Sequence, residues 1–210
     1  GPKTPQAYAA IKDADNSVRL VWDQLKRDYP DQATLIVTSD HGFSPIRFAV
    51  YPNVILRDAG LEEVKGARRV GGSVYLVPQG GCAMLYILDQ ANRASIVDRV
   101  KKAFAGVKGV EKIVDPDHLK DWGVANPKDD PHAPDMLLFA DEGGTFGDTA
   151  AGALSFVEKP ERRGTHGHDV NLPDLHGTFV DVGDGIKPGV KLGEIQNTSV
   201  APTIAKLLGV

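Results

Sequence analysis

Ala33-Thr34-Leu35-Ile36-Val37-Thr38-Ser39-Asp40-His41-Gly42-Phe43 is the stretch whose reading decides the fold. Thr34 to Thr38 is a short β-branched, apolar run without alternation, which predicts a strand buried on both faces of a parallel sheet. Polarity then arrives abruptly at Ser39-Asp40-His41-Gly42, and the glycine lets the backbone bend. Open α/β sheets carry their chemistry just beyond the carboxyl ends of their strands. A carboxylate beside an imidazole at that point is a ready pair of ligands for zinc or a similar divalent ion. An aspartate at a strand end also serves as a turn former or helix cap.

Working outward, Pro5 to Asp28 reads as a helix on the N-terminal side of this strand. Ile11, Ala14, Val18, Val21 and Leu25 recur at helical steps as one apolar stripe. Thr4 suits the N-cap and Pro5 the first helical position. Helix, short loop and buried strand make half of a parallel α/β unit.

On the C-terminal side the character changes. Ala49 to Leu56 suits a strand or a short helix, Arg68-Arg69 and Gly71-Gly72 suit a loop, and Ser73 to Val77 suits a strand. Pro78-Gln79-Gly80-Gly81 is an expected turn before a strand from Cys82 to Leu88. Ser95 to Phe104 is amphipathic, and Val110 to Val114 follows as a strand. Strand, helix and strand in so short a span predict a small α+β subdomain, 48–128, inserted into a core made of 1–47 and 129–210. Asp115 to Pro134 reads as loop, Met136 to Ala140 as a short buried strand, and Thr178 to Val182 as a late strand. A closing helix over Val200 to Leu208 is expected to be capped by Asn197 or Thr198.

The 210 residues are 41% hydrophobic and 25% charged, a composition that buries a sizeable core. A net charge of -4 gives no broad basic field, and Lys101-Lys102, Arg68-Arg69 and Arg162-Arg163 are too small for a nucleic-acid footprint. No apolar run approaches the roughly 20 residues of a bilayer span. Cys82 is the single cysteine, so no intramolecular disulfide forms, and its apolar surroundings predict a buried thiol.

Gly164-Thr165-His166-Gly167-His168-Asp169 carries a second signal. Imidazole binds a metal through one nitrogen while a partner orients the other, and glycine lets the backbone approach a ligand. Asp169 is a candidate acceptor for such orientation. Two solvated histidines, or one structural metal shared by His166 and His168, account for the same spacing. His118 and His132 sit among turn residues, and His176 reads as structural.

In chain order, Ser39-Asp40-His41-Gly42-Phe43, Gly164-Thr165-His166-Gly167, and His176-Gly177-Thr178-Phe179 through Asn197-Thr198-Ser199-Val200-Ala201-Pro202-Thr203-Ile204-Ala205 resemble one family. It is the type I phosphodiesterase and nucleotide pyrophosphatase family of the alkaline phosphatase superfamily. Ala133-Pro134-Asp135-Met136-Leu137-Leu138 resembles the Pro-Asp strand ahead of its late histidine. The resemblance spans nearly the whole chain, least closely between 50 and 128. It implies an α/β fold: a three-layer alkaline-phosphatase-like sheet flanked by helices. It implies two divalent ions, zinc first among them, one held by Asp40 and His41 and the other by His166. His168 and Asp169 are then candidates to back those ligands or to touch substrate. The implied reaction is in-line displacement at phosphorus through a covalent phospho-enzyme, acting on a small phosphoester or nucleotide.

The pattern also departs from the family's. The early aspartate, the nucleophilic threonine or serine, and an Asp-x-x-x-His pair would all precede Gly1. Ser39, Ser44 and Thr165 are hydroxyls that the family gives no nucleophilic role. The expectation is therefore the C-terminal part of a larger enzyme, inactive alone, with an incomplete sheet whose exposed edge permits oligomers. A periplasmic or secreted location follows from the family alone, with any signal peptide further upstream. Other readings are a phosphomonoesterase, phosphonate hydrolase, sulfatase or phosphomutase of the same superfamily, or a non-catalytic α/β binding module.

Overall fold

The computed structural model describes every residue except Ala67 and Arg162. Arg162, one half of a basic pair noted above, thus lies outside the described residues. In chain order the elements are α1 (Pro5–Asp28), β1 (Thr34–Thr38), β2 (Ser44–Pro45), β3 (Phe48–Val50), α2 (Pro52–Asp58), β4 (Glu62–Lys65) and β5 (Arg68–Gly72). They continue as β6 (Val74–Gln79), β7 (Cys82–Ile87), α3 (Arg93–Phe104), β8 (Val110–Val114), β9 (Met136–Ala140) and β10 (Gly144–Phe146). The last are β11 (Phe156–Glu158), β12 (Gly164–Thr165), β13 (Phe179–Gly183) and α4 (Val200–Leu208). No helix among the described residues is long and apolar enough to cross a membrane.

The chain forms two compact units, Gly1–Gly42 with His176–Val210, and Phe43–Leu175. In the first, the bounds of α1 follow from its caps. Thr4 Oγ1 accepts the Ala7 N–H at 3.2 Å, Pro5 opens the helix, and the Tyr29 N–H closes it on the Leu25 carbonyl. β1 is a strand where expected, but it is not buried on both faces of a parallel sheet. It is half-buried, and among the described residues it pairs only with β13, antiparallel, from Thr34 opposite Gly183 to Thr38 opposite Phe179. An apolar run identifies a strand, but what covers its faces depends on neighbours. Here α1 buries no residue, and Ile11 and Val21 of its stripe stay 63% and 52% exposed.

The second unit holds every buried apolar side chain of the described residues. Its centre is an antiparallel sheet in the order β6-β7-β9-β8. β9 is buried throughout because side chains alternate across a strand. Met136, Leu138 and Ala140 join a core with Ile96, Val100 and Phe104 of α3, while Leu137 and Phe139 pack on the other face with Val114 and Leu119. β3 sits between β10 and β11 in a second small sheet, and β2 pairs with β12. The stretch 48–128 falls inside this unit together with β9.

Three local expectations change. Arg68–Gly72 is not loop but β5, because it pairs with β4 as a hairpin with a register shift between Glu63 and Val64. Ala49 to Leu56 divides into the end of β3 and the start of α2, where Pro52 supplies a helix-ready first position. α4 is not capped by Asn197 or Thr198. A 3-10 turn over Asn197–Ser199 precedes it, and the Asn197 amide is used on the Asp40 carbonyl instead.

Candidate functional site

In the first unit, the backbone beyond β1 is held by β13's leading edge. The Ser39 N–H donates to the Thr178 carbonyl at 3.0 Å, and Ser39 Oγ accepts the Thr178 N–H at 2.7 Å. Asn197 Nδ2 donates to the Asp40 carbonyl at 3.3 Å. Asp40 is left pointing outward, its side chain 85% exposed. The His41 N–H donates to Asp40 Oδ1 at 3.0 Å and restrains the carboxylate. His41 Nδ1 lies 2.7 Å from the Gly42 carbonyl. A carbonyl only accepts, so Nδ1 carries a proton and donates it there, which fixes the ring's orientation. Its Nε2 stands 3.4 Å from Asp40 Oδ2. Two ligands held about 2.0–2.1 Å from a tetrahedral zinc are separated by about 3.3 Å, so the pair fits two corners of one coordination shell.

In the second unit, β12 leads into the histidine loop. The His166 carbonyl accepts the Gly81 N–H at 2.7 Å. His168 is 4% exposed, and its Nε2 donates to the Gly144 carbonyl at 2.8 Å. Its Nδ1 is buried with no hydrogen-bond partner among the described residues. Burial holds its pKa below the ordinary value. Asp169 is engaged by Asn171, through backbone and side chain at 3.0 and 2.8 Å, and by Lys112 Nζ at 3.3 Å. Those hydrogen bonds, the Asn171 backbone first, lower its pKa.

Asp40 and His41 thus belong to one compact unit and His166, His168 and Asp169 to the other. Among the described residues, no three His, Cys, Asp or Glu side chains gather as a metal-binding group. The remaining histidines stand beside carboxylates on the surface: His118 with Asp115 at 2.7 Å, His132 with Asp130 at 3.4 Å, and His176 with Glu194 at 3.4 Å. The sequence pointed to the histidine loop and, separately, to a turn at Gly80-Gly81, but not to the contact between them. The only available sign was a paired glycine between two strands.

The sequence profile of the type I phosphodiesterase / nucleotide pyrophosphatase family matches residues 1–169. The chain belongs to that family. Over its full length it is 24% identical to ectonucleotide pyrophosphatase/phosphodiesterase family member 7 of Rattus norvegicus, covering 44% of that protein. It is 22% identical to the Homo sapiens protein of the same name, covering 42% of it. The fold superposes on human ectonucleotide pyrophosphatase / phosphodiesterase 5 with a TM-score of 0.74 at 20% identity, covering all of this chain and 50% of that one. The chain therefore spans half or less of each relative. The expected α/β fold, alkaline-phosphatase-like and with incomplete sheets, is the one found.

Proposed function

We propose that this chain contributes part of the metal site of a phosphodiesterase or nucleotide pyrophosphatase. Asp40 and His41 hold one divalent ion and His166 a second, with zinc suited to the carboxylate and imidazole donors. The observation that supports the reading is the 3.4 Å approach of Asp40 Oδ2 to His41 Nε2, with His41 turned by the Gly42 carbonyl. A backbone acceptor on the far nitrogen is the usual device for orienting a metal-bound imidazole.

When bound, such ions stabilise charge on phosphoryl oxygens and lower the pKa of the attacking hydroxyl. This chain's part is to hold and orient the donors. Its Ser39 hydroxyl has a structural part in this reading, since Oγ accepts the Thr178 N–H. In this reading Asp40, His41 and His166 are a partial ligand set, and no nucleophile is assigned among the 210 residues. The substrate is a small phosphoester or nucleotide, cleaved by in-line displacement with a phospho-enzyme intermediate. The edge of β1 opposite β13 also supports self-association, which sedimentation of the chain reads directly.

Zinc titration of the 210-residue chain against a competing chelator tests the assignment. Weak binding that falls further in Asp40→Ala, His41→Ala and His166→Ala is expected, with no turnover of a chromogenic phosphodiester. Binding unaffected by all three substitutions would discard the ligand assignment. Turnover abolished by Asp40→Ala would show that the chain already holds a complete site.

A further inference from the structure

We propose that His168 is a positioning residue for His166, acting with the Gly80-Gly81 turn between β6 and β7. The inference rests on the reading of His166 as a metal ligand. Its basis is a closed ring of contacts within the second unit. The Gly81 N–H donates to the His166 carbonyl at 2.7 Å, and the Gly80 carbonyl accepts the Phe146 N–H at 2.7 Å. Phe146 ends β10, and Gly144 at the start of β10 accepts His168 Nε2–H at 2.8 Å. Turn, β10, His168 and the His166 backbone therefore constrain one another in a single circuit.

Steric fit seals the circuit. A Cβ on Gly80 would collide with the His166 carbonyl and Thr165 Oγ1, and one on Gly81 would fall on the His168 ring. Gly167, at φ +86°, brings its α-carbon against the Gln79 carbonyl, where no side chain fits. The backbone on both sides of His166 is thus moulded by the turn, and the His168 ring is the wedge that keeps the mould closed. His168 is 4% exposed with its Nε2 proton committed to Gly144, so its ring is fixed in place beside the His166 backbone. Lys112 ties the loop's far end through Asp169 at 3.3 Å. Preorganisation of a ligand by packing and hydrogen bonds of its neighbours is what holds a site to productive geometry.

The test uses the full chain with three substitutions and two readouts. His168→Leu fills the space without the hydrogen bond, His168→Gln keeps a donor where Nε2 lies, and Gly81→Ala pushes on the ring. The first readout is metal-free: hydrogen exchange of the Gly81 amide and the NMR signals of the His166 ring. In His168→Leu and Gly81→Ala, Gly81 exchange is expected to rise about tenfold and the His166 signals to shift, while Leu85 and Leu138 amides stay unchanged. His168→Gln is expected to stay within about twofold of wild type. The second readout is zinc affinity, expected to follow the same order. Equal behaviour of the Gln and Leu variants, or an unmoved Gly81 amide in Leu, overturns the positioning role. If His168→Leu fails to fold, Gly81→Ala against His168→Gln decides by the same criteria. If zinc leaves the wild-type His166 signals untouched, the ligand reading fails, and the metal-free exchange still decides the positioning role.

Discussion

Asp135 Oδ1 accepts the Nε–H of Arg93 at 2.7 Å while its Oδ2 accepts the Ile87 N–H at 2.7 Å. The carboxylate is 5% exposed and stands where the end of β7, the start of α3 and the start of β9 meet. Removing it strands a partly buried guanidinium and an unpaired amide. Asp135→Ala is expected to cost about 3–5 kcal/mol in urea unfolding, and Asp135→Asn, which retains an acceptor, clearly less. A loss below about 1 kcal/mol for the alanine variant would mean the pair is not a tie between these elements. The Pro134-Asp135 signature is thus a structural tie as well as a point of family resemblance.

Cys82 is partly buried at the start of β7, and burial pushes its thiol up to about 11. Only the thiolate reacts, so its fraction sets the alkylation rate. At pH 8 that shift from 9.0 lowers the thiolate fraction about a hundredfold. Iodoacetamide should therefore label folded Cys82 about a hundredfold more slowly than the urea-unfolded chain, corrected for urea's effect on a model thiol. Equal rates would place the sulfur in water.

Elements whose own residues carry both their period and their ends were legible from sequence. α1 runs from its Thr4 cap to the last residue before the Tyr29-Pro30 break, and α3 and β9 fall on their apolar patterns. Strands of two or three residues were not, since β2, β10, β11 and β12 exist only because a distant segment pairs with them. The direction of β1's pairing failed for a related reason: an apolar run does not say whether its neighbour runs parallel. At the candidate site, the approach of Asp40 to His41 was visible because the two are adjacent in sequence. Asn197 on Asp40 and Gly81 on His166 are contacts between segments far apart in the chain, and no local pattern announces them.

Asp115 accepts from Lys101 Nζ at 2.7 Å and lies 2.7 Å from His118 Nδ1. The Lys101 and His118 hydrogen bonds lower its pKa to about 2, and its hydrogen bond, then its charge, raise that of His118. The two signs define a window. Asp115's contribution to stability is present above its ordinary 3.8 and fades as pH falls toward about 2. His118's is present below its ordinary 6.5 and fades as pH rises through the raised folded value. NMR titration should find His118 titrating above an unstructured histidine, and Asp115→Asn should move it back toward the ordinary value. No change on that substitution would dissolve the pairing.

Glu62 is the buried acid of the β4–β5 hairpin, its side chain 1% exposed and 3.8 Å from Arg69 Nε. Neither carboxylate oxygen has a hydrogen-bond partner among the described residues. Arg69 spends Nη2 on the Val74 carbonyl at 2.6 Å and lies over the Tyr75 ring. Loss of hydration outweighs the attraction of Arg69, and the pKa rises from 4.5 to about 7. A raised folded pKa means that the stabilising contribution is complete below 4.5 and is lost as pH climbs through about 7. Between pH 4.5 and 8, wild type should lose on the order of 2–3 kcal/mol that Glu62→Gln, with nothing to ionise there, keeps. The variant should therefore gain on wild type as pH rises, with the curves closest in acid. Urea unfolding of both proteins at several pH values across that window reads the difference. Parallel curves would mean that Glu62 ionises in the fold as easily as in water, and that the hairpin opens to hydrate it.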